Sequence, residues 1–102
     1  MARPRLELQL ILEAIPGVQM VKFQPPDSTR LTYPCIIYTR DSQDVTYADN
    51  RPFRTDTRYT ITVIDRNPDS QIPSLVAKLP YCSFSRFFAA DDLNHDVYSL
   101  YF

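Results

Sequence analysis

Glycine is nearly absent from this sequence. Gly17 is the only glycine among 102 residues, where average usage would give about seven. Glycine supplies the positive-φ positions of tight turns and the hinges of moving lids, and phosphate-cradling loops need several of them. The scarcity excludes a glycine-rich phosphate loop and predicts stiff connections built from Pro, Asp, Asn and Ser.

The sequence also lacks an excess of positive charge. Eleven basic residues face 12 acidic ones, for a net charge of −1, whereas generic nucleic-acid binders carry a basic excess. All the basic residues are Arg except Lys22 and Lys78, and seven Tyr and six Phe accompany them. Arg, Tyr and Phe are enriched at protein interfaces, so this composition favours protein partners over nucleic acid.

Long apolar runs and a signal peptide are missing as well. No stretch approaches the ~20 apolar residues needed to cross a bilayer, and the first residues do not resemble a secretory leader. We therefore expect no membrane partner and a cytosolic compartment. Cys35 and Cys82 are the only cysteines, and we expect both thiols to be reduced and buried.

Hydrophobic periodicity predicts two helices. Residues 5–15 carry apolar side chains at helical spacing and are followed by Pro16 and Gly17, which end helices. A second stripe of the same spacing follows the turn at 67–70 and ends at Pro80. The two stripes consist of Leu8, Ile11, Leu12 and Ile15, and of Ile72, Leu75, Val76 and Leu79.

Five further segments are typical of β-strands. They span 18–24, 35–39 with a polar continuation to about 47, 58–65, 82–88 and 97–102. The polar segment 47–57 between the second and third is predicted to be the exposed tip of a long hairpin. The resulting order is α-β-β-β-α-β-β in one domain, residues 1–102. It predicts an α+β fold with a mostly antiparallel sheet of four to five strands and two helices on one face.

The segment 91–96 contains His95, the only histidine, among acidic residues. Zn²⁺ needs three or four ligands, and adjacent strand residues point to opposite faces. We therefore interpret the segment as a turn with a hydrogen-bonded histidine. A small enzyme pairing His95 with Cys35 or Cys82 is a remote alternative, because thiols in apolar strands are inert. The sequence predicts no catalytic residue, cofactor or metal site.

Residues 84–88 (FSRFF) deserve a comparison with RNA-stacking strands. Aromatic strands with a basic residue stack bases in RNA-recognition domains. Those strands contain glycine between the aromatics, and the element order here begins with a helix. We interpret the segment as a core strand, and an interface strand is the alternative.

The best candidates for subunit contacts lie in the hairpin and at the C-terminus. The hairpin mixes both charge signs with aromatic side chains, and long ordered loops tend to be functional. The final strand ends on aromatic residues, which suits docking on a sheet or a neighbour. The candidate contact residues are Tyr47, Arg51, Phe53, Arg54, Arg58, Tyr101 and Phe102.

Four stretches resemble small proteins of the tail modules of long-tailed bacteriophages. They are 59–65 (YTITVID), 67–73 (NPDSQIP), 79–84 (LPYCSF) and 93–98 (LNHDVY). The element order is similar to that of the tail terminator, or tail-completion, family, and the resemblance covers nearly the whole chain. It implies an α+β subunit of a hexameric ring with no catalytic residues.

The resemblance further implies a virion structural protein, made in the host cytoplasm, that caps the tail tube and joins it to the head connector. Its implied partners are copies of itself, the major tail tube protein and the head–tail connector or head-closure protein. A head-closure or neck adaptor protein of the same particle is the alternative, because these proteins have similar sizes and builds.

Overall fold

In a computed structural model, the described residues form two helices and five strands. The structure describes residues 4–48 and 51–102, and within them the side chains except those of 43–48 and 51–56. The elements are α1 (Arg5–Glu13), β1 (Met20–Phe23), β2 (Cys35–Ala48), β3 (Arg51–Asp65), α2 (Ile72–Ala77), β4 (Cys82–Ala90) and β5 (Leu93–Tyr101). The predicted α+β class and element order are confirmed.

The strands form one mixed sheet in the order β1-β2-β3-β5-β4. Every neighbouring pair is antiparallel except β1 and β2, which run parallel from Met20↔Cys35 to Phe23↔Tyr38. Parallel neighbours need a crossover connection, and residues 24–34 supply it. β1 and β4 are therefore the two edges of the sheet, and β3 lies at its centre.

One buried cluster joins both helices to a single face of the sheet. α1 contributes Leu8, Leu12 and the following Ile15, and α2 contributes Ile72 and Val76. The sheet contributes alternate residues of its three inner strands, because successive side chains point to opposite faces. These are Ile36 and Tyr38 of β2, Tyr59, Ile61 and Val63 of β3, and Tyr98 and Leu100 of β5.

The opposite face is buried near one end of the sheet. Cys35, Ile64 and Val97 are at most 6% exposed and alternate with the helix-facing residues of their strands. Both faces therefore carry buried residues around the inner strands, and the edges are left to interact with solvent.

Candidate subunit interface

The β2–β3 hairpin extends well beyond the rest of the sheet. The pairing of β1 with β2 ends at Tyr38, and the pairing of β5 with β3 ends at Arg58. β2 and β3 continue to pair beyond these residues as far as Ala48↔Arg51. Residues 42–48 and 51–57 thus form a two-stranded ribbon, roughly 20 Å long at the usual rise per residue. The ribbon is consistent with a molecule whose longest dimension is 51 Å against 27 and 24 Å.

Regular strand structure replaces most of the predicted hairpin tip. The predicted long hairpin and the polar continuation of β2 to about 47 are confirmed, but the tip is shorter than the predicted 47–57, because β2 continues to Ala48 and β3 begins at Arg51. Cross-strand pairing with β2 here overrides the weak strand propensity of Pro52 and Asp56. Tyr47, Arg51, Phe53 and Arg54 are all strand residues of the ribbon, and their side chains lie outside the described part.

Arg58 is engaged within its own subunit. Its Nε donates to Asp41 Oδ2 at 3.0 Å, and the Thr60 hydroxyl donates to the same oxygen at 3.1 Å. The hydrogen bond to the Asp41 carboxylate raises the pKa of the Arg58 guanidinium above its usual range. Asp41 is the extra residue of a bulge between Arg40 and Ser42, and bulges bend and twist a ribbon. The ion pair therefore stabilises the bulge at the base of the ribbon. Arg58, a predicted subunit-contact residue, thus has a charged partner within its own subunit.

The C-terminal aromatics are held by this subunit's own sheet. The Tyr101 amide donates to the Tyr81 carbonyl at 3.2 Å, and the Phe102 amide donates to the Thr57 carbonyl at 3.0 Å. Phe102 packs against the hydrophobic cluster, and Tyr101 is 36% exposed. Of the two docking options, the structure provides the intramolecular one for Phe102.

β4 is the surface that sequence analysis misjudged. The core interpretation of 84–88 is wrong, because β4 is an edge strand and every residue after Cys82 is exposed. Phe84, Phe87 and Phe88 are 59%, 54% and 39% exposed, which leaves roughly 300 Å² of aromatic surface in contact with water. Ordinary monomers expose apolar patches of similar area, and such patches are often functional, so β4 is a candidate interaction surface. Periodicity alone cannot separate a core strand from an edge strand.

A bulge distributes these aromatics over both faces of β4. The register shifts between Phe84, opposite Tyr98, and Arg86, opposite Val97. Phe84 and Phe87 consequently share the helix-bearing face, and Arg86 and Phe88 share the other. Strict alternation would place Phe84, Arg86 and Phe88 together, and one inserted residue reverses that relation. The edge strand therefore presents aromatic surface in two directions.

The His95 segment has a different structure from the predicted turn. Only the residues at 91 and 92 form the turn, and His95 lies in β5 with its ring stacked on Phe88 at 4.4 Å. Its Nδ1 is buried without a hydrogen-bond partner among the described residues, so the expectation of a hydrogen-bonded histidine is wrong at this atom. The His95 ring is held by stacking on Phe88 rather than by a hydrogen bond at Nδ1.

The geometry gives no support to cysteine–histidine chemistry. Cys35 pairs with Ile64, and Ile64 pairs with His95, so the thiol and imidazole lie two strand spacings apart, about 10 Å. Burial, followed by the charge of Asp65, raises the pKa of the Cys35 thiol to about 11. Burial also raises the pKa of Cys82, which lies on the opposite face of the sheet from His95.

An open groove of about 270 Å³ beside α1 and β1 is lined by Glu13, Val18, Gln19, Met20 and Val21.

The described residues form neither a metal-binding cluster nor a helix that could span a membrane. No three side chains of His, Cys, Asp or Glu converge there to hold a metal ion. No helix in residues 4–48 and 51–102 has the length and apolar character that a membrane span requires.

The fold and its exposed surfaces define an α+β domain with a projecting ribbon and an aromatic edge strand. Comparisons of the chain with known protein families, with characterised proteins and with solved structures find no match.

Proposed function

We propose that this chain is a virion structural protein, a tail terminator subunit that assembles into a hexameric ring between the tail tube and the head of a long-tailed bacteriophage. The proposal joins the sequence resemblance to one structural observation, the ribbon at 42–48 and 51–57. The candidate interface consists of the projecting ribbon and the exposed β4 edge, so we expect the protein to act by binding other subunits.

The ribbon supports the proposal because an isolated two-stranded ribbon with unpaired edges is unstable in water. A two-stranded hairpin is at best marginally stable by itself. Within residues 4–48 and 51–102, no strand pairs with the outer edges of this ribbon beyond Tyr38 and Arg58. Unpaired strand edges invite pairing with another chain. Neighbours on either side in a ring would cover these edges, and the Asp41–Arg58 pair would fix the angle at which the ribbon reaches them.

The proposed partners are other copies of the chain, the major tail tube protein and the head–tail connector or head-closure protein. The nearly neutral chain, with a net charge of −1, suits contacts in which charges of both signs pair across an interface. A head-closure or neck adaptor role rests on the same surfaces and differs in which neighbour is bound. Binding to purified tail tubes, rather than to head connectors, supports the terminator role.

A shortened ribbon tests the proposal directly. Replacing residues 44–56 by Asn-Gly joins Gln43 to Thr57, which face each other in the native register, through a turn that favours hairpins. The core residues among the described side chains lie outside this segment, so we expect a folded protein that no longer forms rings or caps tail tubes. Negative-stain images of the two proteins, alone and mixed with tail tubes, provide the measurement.

A matched control keeps the ribbon and changes only a surface charge away from it. Lys22→Glu alters an exposed residue of β1 and should leave rings and capping intact. The proposal fails if the full-length protein forms no ring and caps no tube, or if the shortened protein does both as well as the original.

A further inference from the structure

We propose that the outer face of α1 in one copy packs on the β4 edge of the next copy, giving a head-to-tail contact between subunits. The inference rests on the proposed assembly and names the surfaces that make it. The α1 outer face consists of Leu6, Leu10 and Glu13, and the β4 edge consists of Phe84, Arg86, Phe87 and Phe88.

The α1 outer face is apolar where a solvent-facing helix is normally polar. Leu6 and Leu10 are 64% and 67% exposed, and they point away from the stripe of Leu8 and Leu12 that packs on the sheet. Leu6, Leu10 and Glu13 follow helical spacing, so they share one face. The Gln9 amide donates to the Glu13 carboxylate at 2.7 Å, which orients that charge at the end of the apolar pair.

The two surfaces match in length and character. Leu6 to Glu13 spans about 10 Å along a helix axis, and Phe84 to Phe88 spans about 13 Å along a strand. Both are apolar with one exposed charge, acidic on α1 and basic on β4. The guanidinium of Arg86 lies 5.4 Å from the centre of the Phe88 ring, which places the positive charge beside the aromatic surface.

Charge decides which surface pairs with which. An antiparallel β4–β4 contact that sets Phe84 against Phe88 also sets Arg86 against Arg86, and like charges opposite each other destabilise a strand pair. Two α1 faces packed in parallel would similarly bring two Glu13 carboxylates together, and two packed antiparallel would leave each Glu13 without an opposite charge. Of these three pairings, the α1–β4 combination is the one that opposes Glu13 to Arg86 while it brings exposed apolar side chains of both surfaces together.

This contact cannot form within one subunit. α1 packs beside β1, and β1 and β4 are opposite edges of the sheet, about 19 Å apart at the usual strand spacing. Each copy therefore offers one surface at each side. Contacts between unlike surfaces propagate around a ring when the rotation closes and along a filament when it does not, so the inferred contact suits a cyclic assembly.

Two single substitutions and their mixture provide the test. Leu10→Asp places a charge in the α1 outer face, and Phe87→Asp places one in the β4 edge. Both positions are exposed, so both variants should fold, which circular dichroism checks. Each variant alone should associate about thirtyfold more weakly, as expected for a central contact residue. An equimolar mixture keeps one intact α1 face and one intact β4 edge, so light scattering should find a heterodimer that does not grow further.

Charge reversal supplies a second readout. Arg86→Glu and Glu13→Arg should each weaken assembly, and the double variant should recover it, whereas the control Lys22→Glu should have no effect. Failure of the double variant to recover would contradict the Glu13–Arg86 pairing.

The outcomes separate this inference from the proposed function. Rings that survive both Leu10→Asp and Phe87→Asp would overturn the α1–β4 contact and leave ring formation standing. A dimer formed by Leu10→Asp alone would instead indicate β4–β4 pairing and also overturn it. A wild-type chain that never assembles would remove the proposed function and this contact together.

Discussion

Positive φ angles fall on residues with side chains in this protein. Apart from Gly17, they occur at Gln24, Tyr81, Asp91 and Asp92. The glycine-poor composition predicts connections built from other residues, and the Asp91–Asp92 turn between β4 and β5 confirms that prediction. Two consecutive positive φ angles are typical of a type I′ turn, for which Asp is tolerated and glycine fits best.

Asp92→Gly should therefore stabilise the protein. The native φ of 62° costs a side-chain-bearing residue more than glycine, so we expect the free energy of unfolding to rise by about 0.5 to 1 kcal/mol. Asp69→Gly is the matched control, since φ is not positive there, and it should be neutral or destabilising. Urea denaturation compares the two variants, and a gain at Asp69 equal to that at Asp92 would contradict the explanation.

Alkaline pH should weaken the fold through Cys35. Its pKa rises from 9.0 to about 11 in the folded protein, so between these values the folded state holds a proton that the unfolded state has released. The protonated thiol therefore makes its full contribution to the free energy of unfolding below about pH 9. That contribution, about 2 to 3 kcal/mol, is lost as the pH rises toward 11. Burial of Tyr38 and Tyr98 raises the pKa of each phenol, which adds loss of the same sign.

Cys35→Ala isolates the thiol's share of that pH dependence. The variant should unfold more easily at pH 8, because a buried side chain is truncated, yet lose less stability between pH 8 and 10.5 than the wild type. Chemical denaturation at the two pH values gives both quantities. An unchanged pH slope in Cys35→Ala would show that the thiol does not titrate as described.

At the scale of elements, periodicity predicts what packs on the core. The stripe from Leu8 to Ile15 correctly predicts a helix, and the alternation from Tyr59 to Val63 correctly predicts a half-buried strand. Strand order is not visible in such a pattern, because the edge strand β4 and the central strand β3 are both rich in β-forming residues. The aromatic content of β4 thus favoured a core interpretation that its edge position contradicts.

The mostly antiparallel sheet is predicted correctly from the sequence, whereas the bulges and the parallel β1–β2 pair are not. The shift near Ser85 reverses which aromatics share a face, and the bulge at Asp41 supplies the acceptor for Arg58. Each depends on pairing with a distant strand rather than on local residue preference. Charge and aromatic content predict the candidate contact residues of the ribbon, whereas the exposed β4 edge is visible only in the sheet topology.

At the scale of the whole molecule, the exposed surfaces lie around a buried centre. The helices and inner strands form the core, the ribbon extends from one end of β2 and β3, and α1 and β4 lie at opposite sides. A subunit with unlike surfaces at its two sides is suited to a closed ring, and the stiff connections favour a fixed angle between neighbours. In this account, shape and edge complementarity perform the function.

The mass of the wild-type protein in solution tests this account most directly. Light scattering across a wide concentration range should find one discrete species whose mass is six times the 11.9 kDa of the chain, without larger forms. A protein that stays at the mass of a single chain up to high concentration would contradict the central claim that the chain acts by assembling with itself.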